Sequence, residues 1–333
     1  MSTKRPIIIC TRGSALALAQ ANNVLAQCRK AFPRLTFELK IMKTTGDKLL
    51  TASLANPDKD LPKGLFTKEL EVALLAGRAD LAVHSLKDLP TELPAGLTLG
   101  AVGKRADVRD VLIYRDAAHR EKQQPVAATK LRGFKPRLAI KDLPKGAVIA
   151  TSSTRRQAQL RELRRDLKFT ELRGNVSTRL KKLAANGDID ATMLAAAGLG
   201  RLKFTITPAG KLIGEGVPDG LLATVLDAEV MIPCVGQAAV GIEIRAGDER
   251  IAAICARLNH APTLACVMAE RAFLAAMGGG CASPVGAHAE VVGKQVAMRV
   301  VSFIGGKGKR AKGKRGINAA KDLGMALAGK LKN

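Results

Sequence analysis

Short apolar segments of strand length alternate with amphipathic segments of helix length through most of this 333-residue chain. Residues 6–11 predict a buried strand, and Ser14 is a predicted N-cap of the helix that follows, which has Leu18, Ala21 and Leu25 on one face. A strand over 37–42 follows. Strands and helices that alternate in this way predict a parallel sheet with right-handed crossovers.

A second unit of the same kind follows a basic stretch, 115–145, that has no clear period. Its predicted elements are strands at 147–150, 168–172 and 190–194, a basic helix over 155–165, a helix from Val176, and a small-residue run at 195–200. Two similar units predict two lobes with a cleft between them. The segment 43–63 has little periodicity and predicts a surface loop long enough to be a lid.

The pattern changes after Gly247. It predicts two helices, at about 249–259 and 263–277, two strands that meet at Gly293-Lys294, and a final helix over about 317–331. This part of the chain therefore predicts a small α+β domain.

The formal net charge of +25 makes nucleic acid or an anionic surface the default partner. Much of the excess lies in 119–145 and in 305–333, and we predict that the latter is a basic tail, solvated or weakly attracted to polyanions. Aromatic residues interleaved with basic ones, the usual platform for single strands, are missing. No apolar run reaches the ~20 residues that span a bilayer, and the N-terminal apolar run is too short for a secretory signal, so the expected location is cytoplasmic.

The six cysteines are far apart in sequence, with no C-x-x-C pair, which argues against a zinc site. Cys10, Cys28, Cys255 and Cys266 lie on apolar faces and are predicted to be core residues. Cys281 differs because Gly278 to Gly280 leave its thiol unshielded. A thiolate there is a candidate nucleophile or covalent anchor, although a lone loop cysteine often has no role.

Charged residues directly follow the buried strand at 81–83, in the stretch DLAVHSLKDLPTELP from Asp80 to Pro94. Open α/β sheets bind their ligands at this position, outside the carboxyl ends of the strands. Lys87 and Asp88 are therefore candidates for chemistry, and a solvated turn is the alternative. His84 could act as a base, but a structural role is the more common one for such a histidine.

Arginines recur where helices begin, after hydroxyl-rich strand ends. They are Arg12, Arg155, Arg156, Arg173 and Arg179. Helix N-termini attract anions, and a guanidinium holds a carboxylate or phosphate with two hydrogen bonds. The cleft is thus predicted to bind a polyanion, unless these are solvated surface arginines.

These segments together resemble the porphobilinogen deaminase (hydroxymethylbilane synthase) family. The matching segments, in the family's order, are TRGSALALAQ (11–20), KTTGD (43–47), GLFTKELE (64–71), DLAVHSLKDLPTELPAGL (80–97), ATSSTRRQAQL (150–160), LRGNVSTRL (172–180), LAAAGLGRL (194–202), VGQAAVGIE (235–243) and AERAFL with GGGCASPVGAHA (269–289). The resemblance implies a cytoplasmic, monomeric transferase that joins four porphobilinogen molecules head to tail, with loss of ammonia, on a covalent dipyrromethane cofactor.

The resemblance also implies a role for each matching residue. Asp88 would be catalytic and Cys281 would carry the cofactor through a thioether. Cofactor contacts would come from Ser85, Lys87, Thr151, Ser152, Ser153, Arg155, Arg156 and Arg179. Substrate contacts would come from Arg12, Ser14, Phe66, Arg173 and Arg201.

The predicted fold is α/β, with two periplasmic-binding-protein-like lobes, a cleft between them, and a small C-terminal α+β domain. The expected domains are 1–104 with 233–248, 105–232, and 249–333 with its basic tail. The sequence departs from the family at Cys234, Ala238, 117–145 and 207–228. The alternatives are a non-catalytic two-lobed anion-binding protein and a basic nucleic-acid-binding protein. No metal, no membrane and no specific nucleic acid is expected.

Overall fold

The computed structural model describes residues 5–45, 66–123, 131–280 and 283–332. The predicted lid, from residue 46 to its end at 63, and the predicted anchor Cys281 lie outside these ranges. The strands are β1 (Ile7–Arg12), β2 (Phe37–Met42), β3 (Leu81–Ser85), β4 (Leu97–Val102), β5 (Asp110–Arg115), β6 (Val148–Ala150), β7 (Lys168–Thr170), β8 (Ala191–Ala195), β9 (Thr205–Ile206), β10 (Leu212–Ile213), β11 (Leu221–Val225), β12 (Val240–Arg245), β13 (Val285–Val292), β14 (Gln295–Ser302) and β15 (Lys309–Gly316).

The helices follow the predicted order, with shifts of a few residues at their ends. They are α1 (Ala15–Ala31), α2 (Lys68–Leu75), α3 (Ala117–Gln123), α4 (Thr154–Leu163), α5 (Val176–Ala185), α6 (Ala196–Arg201), α7 (Glu249–Leu258), α8 (Ala261–Ala276) and α9 (Ala320–Lys332). Short 3₁₀ turns occupy Leu86–Asp88, Ile140–Asp142 and Ile317–Ala319. The sequence predicted no element for the small-residue run after β8, which forms α6, or for the start of the basic stretch 115–145, which forms α3.

Each lobe is built on a five-stranded sheet. The first sheet has the order β2-β1-β3-β12-β4, and the second has the order β11-β5-β8-β6-β7. The prediction of wholly parallel sheets was wrong, because β12 runs antiparallel to both of its neighbours in the first sheet and β5 does so in the second. These are the strands that the chain forms directly after each crossing between the lobes, so each enters its sheet in the opposite direction.

Aliphatic side chains fill the interiors of both lobes. Ile9, Phe37 and Leu81 are fully buried between the first sheet and its helices. In the second lobe, Tyr114 and Ile149 occupy the equivalent layer. The polar loops that follow the strands are thereby held at the edges of two rigid sheets.

The C-terminal segment packs α8 and α9 against the antiparallel sheet β13-β14-β15. The prediction of a basic tail over 305–333 was wrong, because residues 309–316 form the third strand and 320–332 form a core helix. Gly313 allows this arrangement. A Cβ atom built on it would lie 3.1 Å from the Leu323 side chain, so a larger residue would push α9 away from β15.

A buried polar cluster joins the C-terminal domain to the two segments in which the chain crosses between the lobes, one between β4 and β5 and the other between β11 and β12. The Arg105 guanidinium donates to both carboxylate oxygens of Glu270, at 2.6 and 3.0 Å, and its Nε donates to the Gln237 carbonyl at 2.9 Å. The other donors to Glu270 are the backbone amides of Gly236 and Ala289. Since this buried carboxylate has four donors, it fixes α8 relative to both crossings.

Candidate active site

The candidate catalytic residue Asp88 lies at the end of β3, in the 3₁₀ turn over Leu86–Asp88. Leu86 is buried and fixes the turn, while the Asp88 side chain is exposed. Asp88 lines a pocket that it shares with residues at the end of β1 and in α1, and with Phe66 and Thr67 before α2. The pocket is lined by Arg12, Ser14, Leu16, Ala17, Gln20, Phe66, Thr67, Val83, His84, Ser85 and Asp88.

The opposite wall of this pocket begins where β1 ends. Ser14 caps α1, because its Oγ accepts a hydrogen bond from the Ala17 amide at 3.3 Å, as the sequence predicted. Arg12 places its guanidinium carbon 4.0 Å from the centroid of the Phe66 ring. A cation held over an aromatic face keeps its charge and still presents its edge to an anion.

Ser85 is held by a side chain that the sequence analysis missed. Gln20, buried on α1, donates through Nε2 to Ser85 Oγ at 2.8 Å. Gln20 lies on the same helix face as the core residues Val24 and Cys28. An amide side chain at that spacing on an apolar helix face is the sequence feature that could have identified it.

His84 is a structural residue rather than an exposed base. Its Nε2 lies 2.9 Å from Glu243 Oε2 on the neighbouring strand β12, and both side chains are buried. Glu71 lies close to this pair, and burial raises the pKa of Glu71. The first lobe thus has a buried polar cluster directly behind the pocket.

Arg155 and Arg156, at the start of α4, are buried against a residue that the sequence analysis did not select. Asp110 binds both arginines, with Arg155 Nη2 at 2.8 Å from one carboxylate oxygen and Arg156 Nη2 at 2.8 Å from the other. Arg155 is 4% exposed, Arg156 6% and Asp110 0%. This burial rules out the alternative that they are solvated surface arginines.

Further hydrogen bonds fix these three side chains. Arg155 Nη1 donates to the Ile232 carbonyl at 2.7 Å, and Arg156 Nη1 donates to the Met193 carbonyl at 2.8 Å. Burial alone would raise the pKa of Asp110, but the two guanidinium charges outweigh it and hold that pKa well below its ordinary value. Asp110 is therefore an ionised carboxylate within the second lobe.

Local hydrogen bonds use two of the three predicted hydroxyl ligands after β6. Ser153 Oγ caps α4 by accepting from the Arg156 amide, and buried Thr151 accepts from the Ser153 amide at 3.3 Å. Ser152 is exposed between them. Of these three residues, Ser152 is the most exposed.

The remaining cations differ in their surroundings. Arg179 Nε donates to the Gly174 carbonyl at 2.8 Å, and desolvation together with the charge of Arg156 lowers the pKa of Arg179, while Asp88 opposes this shift. This coupling places Arg179 near the acid of the other lobe. Arg201 Nη2 donates to the Ala238 carbonyl at 2.6 Å, and the half-buried Arg173 pairs with the exposed Glu171. Lys87 is half-buried beside Asp88.

The structure separates the cysteines by exposure. The four predicted core thiols are buried, as expected, and burial raises the pKa of Cys10 to about 12 and that of Cys28 to about 11. Cys234 is half-buried near Lys87 and Asp88, whose charges act on it. Among the described residues, no group of three or more His, Cys, Asp or Glu side chains is arranged to hold a metal ion.

The arginines present fit a carboxylated cofactor. Arg155 Nε and Arg156 Nε are buried and have no hydrogen-bond partner within the described ranges, so each guanidinium retains a donor. The exposed Ser152 hydroxyl and the half-buried Lys87 ammonium are further donors on the two sides of the cleft. This donor set suits a ligand that carries several carboxylates.

Fold and site together define a class: a two-lobed α/β protein with an exposed acid in a pocket of the first lobe and buried arginines in the second. Two family models match the chain, "Porphobilinogen deaminase, dipyromethane cofactor binding domain" over 7–253 and "Porphobilinogen deaminase, C-terminal domain" over 264–333. The chain belongs to the porphobilinogen deaminase family.

Curated relatives agree with the family models. The chain is 40% identical to the porphobilinogen deaminase of Desulforamulus reducens over 98% of this chain and 94% of that protein. It is 45% identical to the enzyme of Moorella thermoacetica over 86% and 79%, and 41% identical to that of Chloroherpeton thalassium over 92% and 86%. Among solved structures, the effector-binding domain of a BenM variant aligns over 83% of this chain and 97% of that chain, with 17% identity and a TM-score of 0.38, too low to support an inference.

The activity follows from the family. The protein is a transferase of porphyrin biosynthesis, a hydroxymethylbilane synthase that acts on porphobilinogen and uses a dipyrromethane cofactor. Within the described ranges, no single helix is long and apolar enough to cross a membrane, although α7 and α8 together pass by length and composition and bend by 106°.

Proposed function

We propose that Asp88 is the catalytic residue of this deaminase. The observation that carries the proposal is the position of its exposed carboxylate, in one pocket with Arg12 and Phe66. When the carbon–nitrogen bond of porphobilinogen breaks, ammonia leaves and the pyrrole nitrogen supplies the electron pair, so positive charge develops on the substrate. A fixed carboxylate beside that ring stabilises the charge and accepts the pyrrole N–H hydrogen bond.

The dipyrromethane, when bound, supplies the pyrrole carbon to which the first substrate is joined. We assign its covalent attachment to Cys281, which lies outside the described residues. Its carboxylates would bind the cations on both sides of the cleft, and the hydroxyls would add hydrogen bonds. These residues are Ser85, Lys87, Thr151, Ser152, Ser153, Arg155, Arg156 and Arg179.

The substrate would occupy the pocket of the first lobe. Arg12 would bind a substrate carboxylate while Phe66 packs against the far side of its guanidinium. Ser14 would add a hydrogen bond near the start of α1. On the second lobe, Arg173 and Arg201 would bind the carboxylates of the growing chain, and Arg173 would have to exchange Glu171 for the ligand.

We further propose that the chain works as a cytoplasmic monomer with no sequence-specific nucleic-acid partner. Its three domains would be 1–104 with 233–248, 105–232, and 249–333. The sheets support this division, because β12 completes the first lobe after the chain has returned from the second. The Arg105–Glu270 cluster would hold the C-terminal domain while the lobes move.

Intact-mass measurement of the purified protein tests the anchor. We expect the wild-type mass to exceed the polypeptide mass by two linked pyrrole units, and the Cys281→Ala protein to lack this excess. Cys234→Ala is the matched control, because it removes the half-buried thiol near Asp88. A Cys281→Ala protein that still carries the excess would refute the assignment.

A further inference from the structure

Strand β15 is a positively charged sheet edge that the activity does not use. It pairs with β14 on one side only, so the other side is an open edge among the described strands. Lys309, Lys312, Lys314 and Arg315 are all exposed on it. Two strand spacings separate β15 from β13, the strand that follows the cofactor-anchor loop.

Negative charge is missing around this edge. Residues 291–321 contain nine Lys or Arg and no Asp or Glu. Within the described ranges, one β15 cation has a carboxylate partner: Arg310 pairs with Glu162 of α4. The other four cations have no carboxylate within ion-pair distance there, so their charges are not compensated.

The cations form a line that is accessible from two sides. Ala311 and Gly313 face the core helix α9, and strand alternation places Lys309 and Arg315 on that side and Lys312 and Lys314 on the other. At about 3.4 Å per residue, the line from Lys309 to Arg315 is about 20 Å long. A linear polyanion that lies along the edge reaches all four charges.

This geometry selects one class of partner. An anionic membrane is a plane and would reach the cations of only one side at a time. Lysines on an edge strand also keep it from pairing with other sheets, but that role does not require the surrounding residues 291–321 to lack Asp and Glu. Duplex nucleic acid carries a negative charge every ~1.7 Å along its axis and offers many phosphates over the length of the strand.

We propose that the β15 edge binds the phosphate backbone of duplex nucleic acid independently of sequence. No side chain of β15 is aromatic, so the strand has no platform on which unpaired bases could stack. The surface lies outside the candidate catalytic pocket.

The test is a salt titration of binding to a random-sequence DNA duplex, followed by fluorescence anisotropy. The edge variant changes Lys309, Lys312, Lys314 and Arg315 to Gln. The control variant changes four exposed cations elsewhere to Gln, with the same loss of charge: Lys30, Arg34, Arg78 and Arg250. Deaminase activity of both variants, expected to equal that of the wild type, reports on folding.

We expect the slope of log K against log salt to fall by about 0.9 for each phosphate that the edge variant no longer neutralises, or by about 3.6 if all four cations bind. The control should leave the slope of the wild type almost unchanged. Equal reductions of the slope in both variants would mean that net charge alone drives binding and would overturn the proposal. So would no measurable wild-type binding at low salt, or an edge variant that loses affinity for anionic vesicles but not for DNA.

Discussion

In the first lobe, β1 lies between β2 and β3, and in the second lobe β6 lies between β7 and β8 in the same directions. In both lobes a serine caps the helix that follows this central strand, Ser14 in one and Ser153 in the other. The charged residues beside these caps differ. Arg12 lies on an aromatic ring in the pocket, whereas Arg155 and Arg156 are buried on Asp110.

The two lobes share an architecture but differ in the exposure of their acids. The first lobe leaves its acid exposed, so Asp88 can reach a substrate. The second lobe binds its acid between two guanidinium groups, so Asp110 fixes the positions of Arg155 and Arg156. The catalytic role that we propose for Asp88 and the structural role of Asp110 therefore differ because of burial and partners alone.

Removing the exposed acid should have the largest effect on activity. We expect Asp88→Ala to lower turnover by about 10²–10⁴-fold, the usual contribution of a positioned acid–base group, with no change in thermal stability. Steady-state formation of hydroxymethylbilane measures the loss. Asp188→Ala, at another exposed aspartate, is the control, and equal losses in the two variants would remove Asp88 from the mechanism.

Removing the buried acid should mainly affect stability. Asp110→Ala leaves two buried guanidinium groups without their carboxylate, which costs about 3–5 kcal/mol of unfolding free energy. Denaturant titration measures it. The control is Asp107→Ala, which breaks an exposed pair with Arg109 and should cost no more than about 1 kcal/mol. If Asp107→Ala costs as much as Asp110→Ala, burial does not distinguish the two pairs.

The unfolding free energies of the wild type and of Asp110→Asn should also respond differently to acidic pH. The pKa of Asp110 is lowered in the folded state, so its stabilisation is present above its unfolded pKa of about 3.9 and is lost as the pH falls through the folded value. The stability advantage of the wild type over Asp110→Asn should therefore be constant near neutral pH and shrink in acid. An advantage that grows on acidification would contradict the lowered pKa.

The smallest effect concerns the crossing between the lobes. Ala238 has φ of 70°, a left-handed conformation that disfavours a Cβ atom, and its carbonyl accepts from Arg201. We expect Ala238→Gly to relieve strain and raise the unfolding free energy by about 0.5 kcal/mol, since the greater freedom of glycine in the unfolded chain offsets part of the gain. Thermal denaturation checks it, and a lower melting temperature would show that the position is unstrained.

Sequence reasoning predicted the parts of this comparison that depend on local pattern. The alternation of apolar segments predicted both lobes, and Ser14 was predicted as a helix cap. Asp110 was missed because its role depends on α4 packing against β5, about 45 residues later in the chain. The reversed strands β5 and β12 were missed for a similar reason, since strand direction depends on where the chain crosses between lobes. Strand β15 was missed because its composition is that of a solvated segment.

The central claim is that Asp88 acts on substrate while the cations of the second lobe hold the bound cofactor. Intact mass after rapid mixing with porphobilinogen tests it most directly, with Asp88→Ala compared with the wild type. We predict that both proteins carry the dipyrromethane, that the wild type gains pyrrole units, and that Asp88→Ala gains them far more slowly. An Asp88→Ala protein that carries the cofactor and adds pyrrole units at the wild-type rate would contradict the claim.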